Sequence, residues 1–340
     1  MNKIVECVPN FSEGRNIKVI NSIAGAIQAV PGVKFISAEP DKDYNRTVVT
    51  FVGEPSSVVE AAFQATRQAA ELIDMTKHSG EHPRLGGTDV VPFVPVSGVS
   101  MEDCIKLAQE YGRRVSDELE IPVYLYEEAA TRPERRNLSD IRKGEYEGLP
   151  EKLKDPAWKP DYGHAVFNAK SGCTVTGARM FLIAYNVNLD TNDVSVANEI
   201  ALRIRESGRV KKDAQGKPAL DADGRSVKVP GTLKSVKAMG VLLEAHNIAQ
   251  VSINLVNFHV TPPHVAFEEV KKQAATLGVK ATGSAIVGLT PKEALLMAGR
   301  HYSPELCDEN ALLAVAEREL GLSQLDRFDL QKKVIEFQLS

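Results

Sequence analysis

The chain has 340 residues, enough for two ordinary domains, and its 43% apolar and 25% charged content can build a sizeable core. A net charge of −4 gives no overall basic footprint for nucleic acid, so an anionic ligand must be met by a local cluster of cations. No stretch reaches the ~18 apolar residues of a membrane span, and the N-terminus lacks the apolar core and cleavage site of a signal peptide, so a cytoplasmic chain is expected.

Along the chain, residues 3–9 form an apolar run of strand length and residues 16–29 have helical period, ending at Pro31 and Gly32. Residues 33–39 and 47–53 are strands whose short link leaves no room for a crossover helix, so they should pair antiparallel. A helix starts at Pro55, with Val58, Val59, Ala62, Phe63, Ala70 and Ile73 on one face; residues 90–96 are then a strand. The order is βαββαβ, the split βαβ or ferredoxin-like unit. A helix over 101–119, capped by Ser100 with Asp103, and a strand over 123–126 extend it. The second half repeats the order: strand 181–188, helix 194–205, strands 238–244 and 249–258, helix 265–277 and strand 280–287. A helix over 291–298 follows, with Thr290 and Glu293 as a capping box. The expected fold is α+β, two ferredoxin-like subdomains with boundaries at 1–180 and 181–340. Residues 128–172 show little periodicity and read as a long functional or draping loop, and residues 209–232 as a polar surface hairpin. Cys7, Cys104, Cys173 and Cys307 are far apart with no CxxC, which predicts buried thiols in a reducing compartment.

The loop over 75–87 holds His78, Glu81, His82, Arg84 and three glycines. Its HSGEH also fits the HxxEH pattern of a zinc hydrolase family, which needs both histidines on one helical face. Gly80 in mid-motif and Pro83, which pushes His82 toward extended backbone, oppose such a helix, and no third ligand is evident. The other reading is acid–base chemistry, since a histidine titrating near 6.5 can accept and return a proton at neutral pH. Glu81 is the sequence neighbour that could set the tautomer, and His78 reads as a cation at a helix C-terminus.

Several blocks, in order, carry a family resemblance. They are CVPNFSEGR (7–15), NRTVVTFVGEP (45–55), LIDMTKHSGEHPRLGGTDVVPFVPV (72–96), PVYLYEEAA (122–130), EYEGLPEKL (145–153), GCTVTGARMFLIAYNVNL (172–189) and AQVSINLVNF (249–258). Together they resemble the formiminotransferase domain of the glutamate formimidoyltransferase family almost end to end, in the form without a cyclodeaminase domain. The resemblance implies transfer of a formimino group from N-formimidoyl-L-glutamate to the co-substrate tetrahydrofolate, without a metal, in two αβ subdomains facing across a tunnel. It places the catalytic histidine on His82 and an acidic residue, usually aspartate in the family, on Glu39. Glu39 could steady a substrate cation, orient His82, or be a surface carboxylate beside its turn.

The family's folate segment falls on Gly163, His164, Ala165, Val166, Phe167, Asn168, Ala169, Lys170, Ser171 and Gly172, without the proline or tryptophan some relatives carry. Both substrates bear carboxylates, for which Arg46 and Arg84 are preferred partners over Arg179 and Lys170. Asn10 could read the pterin or cap the next helix. Family members are dimeric, which implies a homodimer, though no apolar stripe marks an interface. The competing readings are a related transferase that uses formimidoyl-glycine or a formylglutamate/5-formyl-tetrahydrofolate exchange, and a non-catalytic folate-binding module.

Overall fold

The computed structural model describes residues 3–42, 44–80, 83–212, 217–221 and 224–339. By its internal contacts the chain divides into two compact units, residues 1–180 and 181–340. Each is a sheet with helices, so the architecture is α+β.

The first unit runs β1 (Ile4–Cys7), β2 (Asn10–Phe11), α1 (Ile17–Gln28), β3 (Val33–Asp41), β4 (Arg46–Gly53), α2 (Pro55–Leu72) and β5 (Thr88–Ser97). It continues with α3 (Met101–Leu119), β6 (Val123–Glu127), α4 (Leu138–Ile141), α5 (Glu145–Lys152) and β7 (Thr174–Ala178). The strand expected over 3–9 is interrupted at Val8 and Pro9, and β1 and β2 each pair antiparallel with both β4 and β5. The sheet then grows by two parallel pairings, β5 with β7 and β7 with β6. The inserted β7 lies in a stretch to which the sequence assigns no strand. Every residue of it is buried, so it carries none of the alternation that marks a half-exposed strand.

One face of this sheet, with Phe11, Val49, Phe51, Val91 and Phe93, packs against Ile23 and Ile27 of α1, Val58 and Phe63 of α2, and Cys104 and Tyr111 of α3. On the other face Val90, Tyr124, Tyr126 and Val175 pack with Ile141 of α4 and Leu149 of α5. Residues 128–172 are therefore not one structureless loop, since two short helices and two 3-10 turns lie within them.

The second unit runs β8 (Ile183–Leu189), α6 (Val194–Ile204), β9 (Arg209–Val210), β10 (Lys228–Val229), β11 (Val236–Leu243) and β12 (Ile248–Leu255). Then come α7 (Pro263–Thr276), β13 (Ala281–Val287), α8 (Lys292–Tyr302), α9 (Glu309–Glu319) and α10 (Leu330–Lys333). Its main sheet has the order β11-β12-β8-β13, antiparallel throughout. The polar stretch over 209–232 folds back as the pair β9–β10, apart from residues 213–216 and 222–223, which lie outside the described set. Two local expectations fail. The capping box at Thr290 does not form, because Pro291 is the N-cap of α8 and gives no side-chain bond. Cys307 is exposed, whereas Cys7, Cys104 and Cys173 are buried.

A buried arginine organises the 128–172 stretch. Arg135, 1% exposed, donates to Asp161 Oδ2 (2.8 Å) and to the carbonyls of Ala157 (2.9 Å) and Lys159 (2.7 Å), and lies 5.1 Å from the Tyr124 ring. Removing one partner of such a pair strands the other, so Arg135→Ala should cost about 3–5 kcal/mol in urea unfolding. A loss below about 1 kcal/mol would contradict this role.

Candidate active site

The sheet of the first unit turns its α1–α3 face away from a row of polar side chains. Directly paired residues point to the same side, so the pairs Glu39↔Val48, Asn10↔Val48 and Asn10↔Val90 put Glu39, Val48, Asn10 and Val90 in one row. Asn10 alternates with the core residue Phe11, and Val48 with Val49, so this row faces away from the three helices. Arg46, two residues before Val48, lies on the same side and donates from Nη1 to Asn10 Oδ1 at 3.2 Å. Its guanidinium also stands over the Tyr44 ring, 5.5 Å from the centroid. Three of the expected site residues, Asn10, Glu39 and Arg46, thus share one patch. Glu39 is exposed at its edge and accepts from Ser37 Oγ at 3.1 Å.

Glu6 belongs to the same side through its pairings with Val52 and Val94, and the sequence reading passes over it. Burial pushes its carboxyl up to about 7, against the pull of the Arg179 charge. A buried carboxyl raised in this way makes the patch a candidate site. In the sequence it looks like the polar member of an ordinary alternating strand.

The histidine loop begins after α2 with a 3-10 turn, Met75–Lys77, whose N-cap Asp74 accepts from Thr76 N at 3.1 Å. His78 caps the C-terminal end of this turn, as the sequence reading has it at a helix end, but it is half-buried and bonded at both ring nitrogens. Its Nε2 bonds the Asn45 carbonyl at 2.9 Å, and its Nδ1 accepts from Arg84 Nε at 3.3 Å. Because Arg84 can only donate, the proton of the neutral ring sits on Nε2. A zinc reading needs a ring nitrogen of His78, and both are engaged. Burial lowers the His78 pKa, and the Arg84 charge adds to this, while the Asn45 bond opposes it.

Asn45 holds the loop in place. It adopts φ +49, accepts from Gly14 N at Oδ1 (3.0 Å) and donates from Nδ2 to the Ser79 carbonyl (2.8 Å). A side chain at Gly80 would stand 2.4 Å from the Tyr44 carbonyl oxygen, so only glycine passes there. Glu81 and His82 lie outside the described residues. Beyond them Arg84, 5% exposed, donates from Nη1 to Glu145 Oε2 and Glu147 Oε2, both at 2.9 Å, and from Nη2 to Glu147 Oε1. A cavity of about 430 Å³ is lined by His78, Ser79, Gly80, Arg84, Glu145 and Glu147.

The segment 163–172 is fastened to this loop. Met75 N donates to the Lys170 carbonyl (2.9 Å), Gly87 N to the Ser171 carbonyl (2.9 Å) and Cys173 N to the Leu85 carbonyl (3.0 Å). Gly86 and Gly172 form a bridge, and a side chain at Gly86 would stand 2.4 Å from the carbonyl oxygens of Ser171 and Cys173. Within the segment, Asn168 Oδ1 accepts from Ser171 N (2.9 Å), and the Tyr146 hydroxyl of α5 donates to the Ala169 carbonyl (2.6 Å). The Phe167 ring lies 5.4 Å from that of Tyr146, and Lys170 Nζ donates to the Glu71 carbonyl (2.9 Å). Gly163, His164, Ala165 and Val166 are exposed, and Ser171 and Gly172 are buried. A second cavity, about 770 Å³, is lined by Ser116, Glu120, Gly163, His164, Val166 and Phe167. Its lining mixes ring and aliphatic groups with the carboxylates of Asp117 and Glu120 and the amide of Asn168.

Residues 4–179 match the family model described as the formiminotransferase domain, N-terminal subdomain, and residues 184–340 match that of the formiminotransferase domain. The chain belongs to the formiminotransferase family. It is 47% identical over 341 residues to the formimidoyltransferase-cyclodeaminase of Dictyostelium discoideum, covering 99% of this chain and 60% of that protein. It is 45% identical over 302 residues to the glutamate formimidoyltransferase of Streptococcus pyogenes serotype M1, covering 89% of this chain and 94% of that one. With the glutamate formimidoyltransferase of Thermoplasma acidophilum the identity is 45% over 301 residues, covering 88% and 92%. The chain thus spans about 60% of the length of bifunctional relatives such as the first.

In this formiminotransferase-family chain, His78 should titrate below the ordinary histidine value of about 6.5. Its folded pKa is the lower one, so the unfolded chain takes up the proton first as pH falls. Its contribution to stability is full above about 6.5 and is lost as pH drops through the folded pKa. An NMR titration of the His78 ring checks the point, and a midpoint at or above 6.5 contradicts it.

Proposed function

We propose that the chain is a glutamate formimidoyltransferase, moving the formimino group of N-formimidoyl-L-glutamate to N5 of tetrahydrofolate and releasing L-glutamate. The observation that carries this reading is the seam of backbone hydrogen bonds that fastens the segment 163–172 to the loop bearing His82. A folate held by one and a proton carrier borne by the other would then be adjacent.

The chemistry balances with one base. N5 attacks the formimino carbon and a tetrahedral adduct forms. N5 loses its proton, the glutamate nitrogen gains one, and the bond between carbon and that nitrogen breaks. In this reading His82 accepts the first proton and returns it to the departing nitrogen, a service worth about 10²- to 10⁴-fold. Holding both substrates in one orientation contributes as much or more. The protonated amidine is already electrophilic, so the step needs no metal.

Gly163 and Gly172, at φ +86 and +69, let backbone approach a flat pterin closely, with His164 to Ser171 between them. Asn10 and Arg46 are suited to the donor's polar end, and Glu39 on their row to its cationic amidine. Arg84 can take a substrate carboxylate only by exchanging Glu145 or Glu147 for it. The same reading makes the protein a cytoplasmic homodimer acting on small molecules.

The His82→Ala variant should bind tetrahydrofolate within about threefold of the parent and lose about 10²-fold or more in turnover. Unchanged turnover would sink the role given to His82. In a donor panel, formimidoyl-glutamate should exceed formimidoyl-glycine and formylglutamate by at least about tenfold in kcat/KM, because a site built to pair a charged group rejects an analogue lacking it. A reversed order would move the chain to another donor.

A further inference from the structure

We propose that Glu147 of α5, acting through Arg84, is a positioning residue for the loop that carries His82, with Asn45 holding the other end of that loop. The proposal rests on the reading that His82 moves the proton.

The described residues on either side of Glu81 and His82 are fixed by different means. Upstream, His78 and Ser79 are bonded to Asn45, and Gly80 is pressed on the Tyr44 carbonyl. Downstream, Pro83 has a fixed φ, and Arg84 is gripped by a two-pronged pair to Glu147 with a further bond to Glu145. Leu85 N then donates to Asp89 Oδ1 at 2.9 Å. The two anchors are joined to each other by the Arg84–His78 bond, so the loop is tied across its own base.

Asn45 on one side and Glu145 on the other adopt a conformation that side chains seldom take. Asn45 has φ +49 and Glu145 φ +55, and Gly144 before it has φ +86. Asparagine tolerates that region, whereas glutamate does so rarely, and such outliers persist where the surroundings demand them. Here α5 starts with two carboxylates on one guanidinium.

Strength alone does not explain the arrangement. The side chains of Glu145 and Glu147 are 43% and 63% exposed, and ion pairs with exposed partners add little stability. What a forked pair to a buried arginine supplies is direction. Arg84 is two residues from His82 in the chain, so the direction of its fork fixes where the backbone leaves that stretch. A displacement of about 1 Å can cost about 10²-fold in rate. The same helix sends Tyr146 to the segment 163–172, so α5 braces the loop and that segment together.

The test is a set of variants of the full chain. Glu147→Gln keeps the shape and one acceptor but loses the charge. It should lower kcat about 10- to 10²-fold with KM for both substrates within about threefold. Its Tm should stay within about 2 °C of the parent. Arg84→Gln should lower kcat at least as far, and the double variant should be no worse than Arg84→Gln alone, since the two act in series. In a His82→Ala background, Glu147→Gln should change nothing further. An unchanged kcat in Glu147→Gln overturns the proposal. So do losses that multiply with those of Arg84→Gln, or a fall in Tm above about 8 °C with kcat per folded molecule intact. A fully active His82→Ala removes the underlying reading and the proposal with it, and that outcome is visible in that variant by itself.

Discussion

Three backbone hydrogen bonds hold two distant stretches of the first unit side by side: Met75 to Lys170, Gly87 to Ser171 and Cys173 to Leu85. They exist because Gly86 and Gly172 lack side chains. A Cβ on either would overlap backbone atoms that cannot move aside. The seam lines up with the inserted strand β7, which follows directly and pairs parallel with β5 and β6. Sheet, loop and segment therefore form one piece of backbone. The polar side chains of Glu6, Asn10, Glu39 and Arg46 are set out along the sheet, on the side that α1–α3 leave uncovered.

That side is divided in two. Toward β5, β7 and β6 it is closed by α4 and α5 over an apolar cluster. Toward β3 and β4 it carries Glu6, Asn10, Glu39 and Arg46. Helix α5 sits at the border and faces both ways. Leu149 secures it to the apolar cluster, while Glu145 and Glu147 reach Arg84 and Tyr146 reaches Ala169. An arginine buried among loops would be costly alone, and the two carboxylates make it tolerable. Their exposed outer edges leave the cavity beside His78 with more negative than positive charge.

Much of the fold is readable in the sequence because α1, α2, α3, α6, α7 and α8 and most strands keep their own period, whereas α4, α5, α9 and α10 receive no assignment. The helices that start at Pro55 and Ser100 are signalled by first-turn and capping residues, and α3 has the full capping box. What stays hidden follows from physical causes. Strand β7 is buried throughout, so it has no alternation to detect. The short helices α4 and α5 are held by Ile141 and Leu149 in the apolar cluster, and α5 also by Arg84, contacts that local sequence does not express. At the site, Asn10 and Arg46 are readable as polar residues in a turn and at a strand start. The work of Asn45, Glu145 and Glu147 is not, because it depends on partners 31 to 63 positions away. His78 shows the same limit: the motif suggests a metal ligand or a helix-end cation, and the tertiary contacts that bond both ring nitrogens are not visible in it.

The central claim is that the segment 163–172 and the His82 loop serve one reaction. A crystal structure of the chain with a reduced folate tests it most directly. The account predicts the pterin against residues 163–172, with the His82 imidazole at about 3 Å from N5, within hydrogen-bond reach. A pterin bound away from that segment, or an N5 with His82 out of reach even through one water, would contradict it.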